Sequence, residues 1–209
     1  MVAKKQIRQE WKRRAQREDV LAVMSARHSL ADNQKASSKM IDDIMAFLEM
    51  HYGSLEGKRV LELGCGTGRF TRELGKKARE VVAVDMTPEM IERARTYTCN
   101  LKNIKYRIGR IADLDMQQLG QFDLAFESIT LLHILDEKEY RKSIEVMKTA
   151  APYVFICEHM ADSAPVSSYS ALRSFDEYVR DFEPLSAVAY RKDHFCVTDW
   201  FPMILFKKE

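Results

Sequence analysis

The sequence predicts an α/β fold: a doubly wound, mostly parallel seven-stranded sheet with an antiparallel last strand, helices on both faces, and an N-terminal helical cap. Three observations predict it. From Lys58 onward, short apolar runs alternate with helical stretches, the pattern of parallel strands covered on both sides. The first of these runs enters a glycine-rich turn, "RVLELGCGTGRFTREL", that opens a helix. The last two runs, "LSAVAYRKDHF" and "WFPMILFKK", read as two strands of an antiparallel edge, with Pro202 suiting an edge or bulge.

The elements follow in order. "KKQIRQEWKRRAQ" reads as a helix and "SSKMIDDIMAFLEMHYG" as a stronger one. In the second, Met40, Ile41, Ile44, Phe47, Leu48 and His51 recur at helical spacing, with Ser37 or Ser38 as cap and Gly53 past the end. The polar stretch between them is expected to be a loop that a ligand orders. "RVLELG", "EVVAVD", "IKYRIG", "FDLAFESI" and "PYVFICEH" read as strands. "RFTRELGKKA", "TPEMIERARTYTCN" and "DEKEYRKSIEVMKTA" read as the helices between them, with Thr87 as a cap and Pro88 in a first turn. "SSYSALRSFDEYVRDF" reads as a lid-like helix before the last strand pair. The division expected is a cap over residues 1–55 and the sheet domain over 56–209.

Composition bounds the partners. The chain has 209 residues, 46% of them hydrophobic, which suits one domain with a sizeable core. A formal charge of +2 is too small to imply nucleic acid or an acidic membrane. The first eighteen residues carry seven Lys or Arg against two Glu, either a docking surface or a solvated helix face with Trp11 packed inward. The four cysteines form no CxxC pair, so neither a disulfide framework nor a zinc site is expected. Without an apolar signal segment or membrane-length run, the expected location is cytoplasmic, as a monomer or homodimer acting on a small molecule.

The turn "GCGTG" holds Gly64, Gly66 and Gly68, and glycine lets backbone approach a ligand with no Cβ in the way. Asp85 ends the second strand about twenty residues on, as an acid for a ribose diol should. A dinucleotide fingerprint needs its third glycine where this chain has Arg69. Glu62, just before the turn, would repel a pyrophosphate and suit an ammonium or sulfonium.

"VLELGCGTGRFTREL…VVAVDMTPEMIERAR" resembles the first two motifs of the class I S-adenosylmethionine-dependent methyltransferases. The family's acid-x-G-x-G-x-G core is matched by Glu62, Gly64, Gly66 and Gly68, and "FDLAFESITLLHI" resembles its fourth-strand segment. The resemblance covers Lys58 to Ile156. It implies S-adenosylmethionine as cofactor, with S-adenosylhomocysteine as product. The turn, Cys65 included, would lie beneath the methionine portion, Asp85 would take the ribose hydroxyls, and Met86 would lie against the adenine. Arg110 stands where many relatives have an acid, which leaves the adenine edge to Ile111 and Ala112 or to Asp113. Glu127, near the end of the fourth strand, joins the cofactor set.

The reaction such a family performs needs an acceptor atom held in line behind the methyl group, and a base only where that atom must lose a proton. The catalytic candidates are His133 in "LLHI" and the pair Glu158 and His159 at the end of the fifth strand, with Ser128 nearby. Tyr169 and Tyr178 on the lid-like helix, and Tyr190 and His194 on the sixth strand, are the substrate-side candidates. Glu127, Glu158 and Asp162 would make the mouth acidic and favour an amine-bearing acceptor. No metal is expected. The function expected is methyl transfer to nitrogen or oxygen of a small molecule. The alternatives are a protein or RNA acceptor, or a cofactor-binding protein without turnover.

Overall fold

Strands β1 (Arg59–Leu63), β2 (Glu80–Asp85), β4 (Leu124–Ser128), β5 (Tyr153–Cys157) and β9 (Met203–Lys207) are almost continuously apolar because both of their faces are covered. The computed structural model describes residues 4–24, 28–161, 168–196 and 199–209. With β3 (Ile104–Ile108) and β6 (Ser186–Arg191), these strands form a seven-stranded sheet of order β3-β2-β1-β4-β5-β9-β6. All neighbours pair in parallel except β9, which runs antiparallel to β5 and β6. The antiparallel last strand is as expected, but it is not the edge. β9 lies inside β6, and Pro202 stands one residue before the ladder, so its missing N–H breaks no pairing.

Alternation along the strands separates two cores. Leu61, Leu63, Val82, Ala125, Val154 and Ile204 face one side, against α6 (Glu137–Ala150) and α7 (Phe175–Asp181). Val60, Val81, Ala83, Phe126, Phe155 and Leu205 face the other, against α2 (Leu30–His51) and α3 (Arg69–Lys77). α4 (Pro88–Tyr97) packs on β2 and β3, and the four-residue α5 (Met116–Leu119) touches α6. A two-stranded hairpin, β7 (Phe195–Cys196) with β8 (Asp199–Trp200), stands apart from the sheet.

The expected loop before Ser37 is helix. α2 begins at Leu30, capped by Ser29, whose hydroxyl accepts the Asp32 N–H at 3.1 Å. Asn33, Ala36 and Ser37 extend the stripe of Met40 and Ile44 one turn toward the N-terminus and are buried with it. Ser37 Oγ accepts from Arg69 of α3 at 3.1 Å. The polar stretch is thus a helix whose inner face meets a cation.

The expected lid-like helix is helical only in part. Only its second half is α7, opened by a capping box of Ser174 and Glu177. Arg173 bridges to Met160, so Tyr169 and its neighbours run as irregular chain.

The N-terminal segment forms α1 (Lys4–Arg14) and a 3-10 turn (Asp19–Ala22). Arg93 of α4 holds this cap: its guanidinium donates to the carbonyls of Ala15, Arg17 and Asp19 at 3.0, 2.6 and 3.1 Å. The basic face is partly neutralised. Arg13 and Arg14 pair with Glu10, which they hold down at a pKa of about 2, and Lys12 pairs with Glu89. Among the described residues, no helix is long and apolar enough to cross a membrane.

Candidate functional site

The strand order reverses direction between β1 and β4, and a crevice opens there at the carboxyl ends of the strands. A cavity of about 310 Å³ occupies it. The glycine turn forms its floor. Gly64 and Cys65 donate backbone N–H groups to the Val84 carbonyl at 2.8 and 2.9 Å. Gly66 N–H donates to Asp85 Oδ2 at 3.0 Å, and Thr87 N–H to Asp85 Oδ1 at 2.8 Å. Thr87 is the N-cap residue of α4 as expected, but its side chain makes no capping hydrogen bond; Asp85 holds its N–H instead and ties the turn to β2. Each of its oxygens keeps a lone pair for a diol. Burial raises its pKa, against the two backbone donors.

The turn is tight enough to demand glycine. Gly64 has φ +73°, and a Cβ there would run into the Thr130 side chain. Gly66 has φ +53°, and a Cβ would come to 2.9 Å from Val23 of the N-terminal cap.

Glu62 lies on the α2–α3 face of β1, 2% exposed, and its Oε2 has no hydrogen-bond partner. Burial, reinforced by the charge of Asp85, raises its pKa to about 8. Glu62 does not line the cavity, but it stands two residues before Gly64, and a carboxyl with an empty oxygen there suits the ammonium of an amino-acid ligand. Asp85 in the wall fits a ribose. The residues present thus fit S-adenosylmethionine.

The other cofactor candidates divide. Cys65, Met86 and Ile111 line the cavity, and Ala112 is buried behind Ile111 without lining it. Arg110 also lines the cavity, paired with Asp113 at 2.6 Å and Glu139 at 3.7 Å. Gly68 is the left-handed cap of α3, packed on Ala94. Glu127 is not in the wall. It is 0% exposed and accepts the Thr130 N–H at 2.5 Å from behind it.

Among the catalytic candidates, His133 lines the cavity. It sits in a 3-10 turn (Leu131–His133) after β4, with its ring edge-to-face on Trp11 at 4.8 Å. Its Nδ1 lies 2.7 Å from the Tyr169 carbonyl, so Nδ1 carries the hydrogen and Nε2 is left as acceptor. Burial lowers its pKa to about 4, and the ring is neutral at pH 7. Glu158 and His159 do not line the cavity. Glu158 is fully buried, accepting the N–H groups of Thr130 and Leu132, and the His159 ring packs 5.3 Å from Phe201. Ser128 does line it, with Oγ unpartnered.

The substrate candidates are not gathered at the cavity. Tyr169 contributes its carbonyl to His133. Tyr178 is 0% exposed in the core, and Tyr190 is 58% exposed on the edge strand against Phe175 and Lys192. His194 lies beyond the end of β6, buried between the Phe201 carbonyl at 2.8 Å and Asp43 at 3.1 Å, and ties that segment to α2. Asp162 lies outside the described residues.

Sequence reasoning missed Val23, Ile129 and Thr130 in the cavity wall, and it gave Trp11 an inward face but no site. Trp11 was the signal for the cap: an aromatic residue amid a basic stretch needs something to pack on.

The family described as a methyltransferase domain matches residues 60–151. Phosphoethanolamine N-methyltransferase 1 of Arabidopsis thaliana is 37% identical over 84 residues, 40% of this chain and 17% of that protein. The ubiquinone biosynthesis O-methyltransferase of Acinetobacter baumannii (strain ACICU) is 28% identical over 111 residues, 52% of this chain and 47% of that one. The chain thus matches less than half the length of these two relatives. Among solved structures, the N-methyltransferase NodS from Bradyrhizobium japonicum WM9, in complex with S-adenosyl-L-homocysteine, superposes with a TM-score of 0.76. It is 17% identical over 97% of this chain and 98% of that one. The chain has the fold and the signature turn of the class I S-adenosylmethionine-dependent methyltransferases, the class its sequence resembles.

Proposed function

We propose that the chain is an S-adenosylmethionine-dependent methyltransferase whose acceptor is a nitrogen or oxygen of a small molecule. The observation that carries this reading is the floor of the cavity, where Asp85 holds the Gly66 N–H of the glycine turn, while Glu62, two residues before Gly64 and outside the cavity wall, keeps one carboxyl oxygen unpartnered. When bound, the cofactor supplies an electrophilic methyl group on a sulfonium. This chain's own residues bind and orient it. Glu62 meets the ammonium, Asp85 the ribose diol, and Met86 and Ile111 the adenine.

Ile129, Thr130 and His133 then border the space left for an acceptor, and Trp11 with the cap keeps water out. His133 Nε2, neutral at pH 7, accepts a hydrogen bond from an acceptor hydroxyl or amine and orients it. At a pKa of about 4 it is a weak base, better suited to orienting the acceptor than to removing its proton. The preference for an amine rested on three carboxylates at the mouth. Two of them, Glu127 and Glu158, stand behind the wall, so nitrogen and oxygen remain equally open. The relatives include both kinds, an N-methyltransferase and an O-methyltransferase.

The test is transfer of label from methyl-labelled S-adenosylmethionine into a cell extract fractionated by size. Label in the small-molecule fraction, absent with Asp85→Ala, supports the reading. Label on protein or RNA overturns the choice of acceptor. Binding without transfer into any fraction overturns the assignment as an enzyme.

A further inference from the structure

The turn that carries His133 is held from both of its polar sides. Thr130 N–H donates to Glu127 Oε1 at 2.5 Å and to Glu158 Oε1 at 2.8 Å. Leu131 N–H reaches Glu127 at 3.4 Å and Leu132 N–H reaches Glu158 at 3.3 Å. On the opposite side, the Arg173 guanidinium lies 3.5 Å from the carbonyls of both Leu131 and Ile134. At the head of the turn, Ile129 has φ +59°. A β-branched residue is strained there and persists only where its surroundings impose it. Both carboxyls are 0% exposed, and neither Oε2 has a hydrogen-bond donor.

We propose that Glu127 and Glu158 hold one proton between them and, with Arg173, act as positioning residues that clamp residues 129–134, setting Thr130 over Gly64 and His133 into the cavity. Two buried carboxyls in contact cannot both ionise. Burial raises the pKa of both, and the charge of Glu158 adds to the effect on Glu127. The groups facing them are Tyr178 from α7, Tyr140 from α6 and Arg173. Tyr140 donates its hydroxyl to Asp181 at 2.8 Å, and burial raises both tyrosines further. Arg173 is the cation of this set, shared among the carbonyls of Leu131, Ile134 and Ala171, the Glu137 carboxylate of α6 at 3.8 Å and the Tyr140 ring, 3.4 Å from its centroid. At high pH the shared proton leaves, the carboxylates repel, and the clamp opens.

The test follows the His133 ring by NMR from pH 6 to 9.5, assigned by its loss in His133→Asn, together with the affinity for S-adenosylhomocysteine. Wild type should show an alkaline inflection in the His133 signal, far from the ring's own titration. Glu127→Gln, whose amide supplies the shared hydrogen permanently, should abolish that inflection while preserving the signal. Glu127→Ala should broaden the signal at every pH and weaken S-adenosylhomocysteine about tenfold. If the alanine variant does not fold, the glutamine variant carries the test. Glu62 is common to wild type and Glu127→Gln, so their difference excludes it. No inflection in wild type, or an unchanged one in Glu127→Gln, overturns the proposal. The ring signal needs no cofactor, so failure to bind S-adenosylhomocysteine would overturn the functional reading alone.

Discussion

The carboxylate of Asp85 accepts the Gly66 N–H at 3.0 Å and so joins the end of β2 to the middle of the glycine turn. One side chain thus shapes the turn and lines the cavity. Asp85→Ala removes both functions, and charged hydrogen bonds of this kind contribute about 1.5–3 kcal/mol each. Calorimetry with S-adenosylhomocysteine should show affinity falling roughly a hundredfold or more. Asp85→Asn keeps one acceptor oxygen and should lose less.

Gly64 has no room for a methyl group. A Cβ would sit 2.7 Å from Thr130 Cβ and closer still to the hydroxyl, at φ +73°. Gly64→Ala should destabilise the fold by about 2–4 kcal/mol, overpacking and left-handed strain combined. Adding Thr130→Gly should recover part of that loss in urea unfolding. An additive double mutant would mean that the contact does not limit the turn.

Cofactor binding should release a proton. The Glu62 carboxyl, with its pKa near 8, is mostly protonated at pH 7 in the free protein. An ammonium beside it favours the charged form and lowers that pKa. Calorimetry at pH 7 in buffers of different ionisation enthalpy should report a fractional proton released on binding S-adenosylhomocysteine. Glu62→Gln should abolish the release and weaken binding.

Stability should fall between pH 6.5 and 8. An acid whose pKa is raised from 4.5 to about 8 by folding binds more protons folded than unfolded in that range, so its contribution is lost as pH rises. His133, lowered from 6.5 to about 4, acts in the opposite sense, but its contribution is complete above pH 6.5. Over 1.5 pH units Glu62 should cost about 2 kcal/mol, and Glu127 and Glu158 add to it. Urea midpoints across this window should show the decline, and Glu62→Gln should flatten it. A midpoint that rises with pH would contradict the account.

Arg93 is the fastening of the cap, with three backbone carbonyls on one guanidinium. Arg93→Ala should expose the chain between α1 and α2 to proteolysis and reduce cofactor affinity about tenfold, with little change in global stability. Val23 and Trp11 reach the cavity from this segment, which links the two effects.

The sequence by itself determined the sheet, the turn and the acid after it. Apolar strands buried on both faces, glycines at positive φ and an acid ending β2 each follow from local chemistry, and β1 through β5 stand where the runs placed them. The start of α2 was not legible, because Asn33 and Ser37 read as loop until Arg69 and the core supply an inner partner. The roles of Glu127, Glu158, Tyr178 and His194 were also hidden. A charged residue near a strand's carboxyl end, or an aromatic one on a covering helix such as α7, can face the crevice or the layer behind it, and composition is the same in both cases. Tertiary packing chose the layer behind for the two glutamates and Tyr178. There the glutamates hold the turn that presents His133, which lines the cavity together with Ser128.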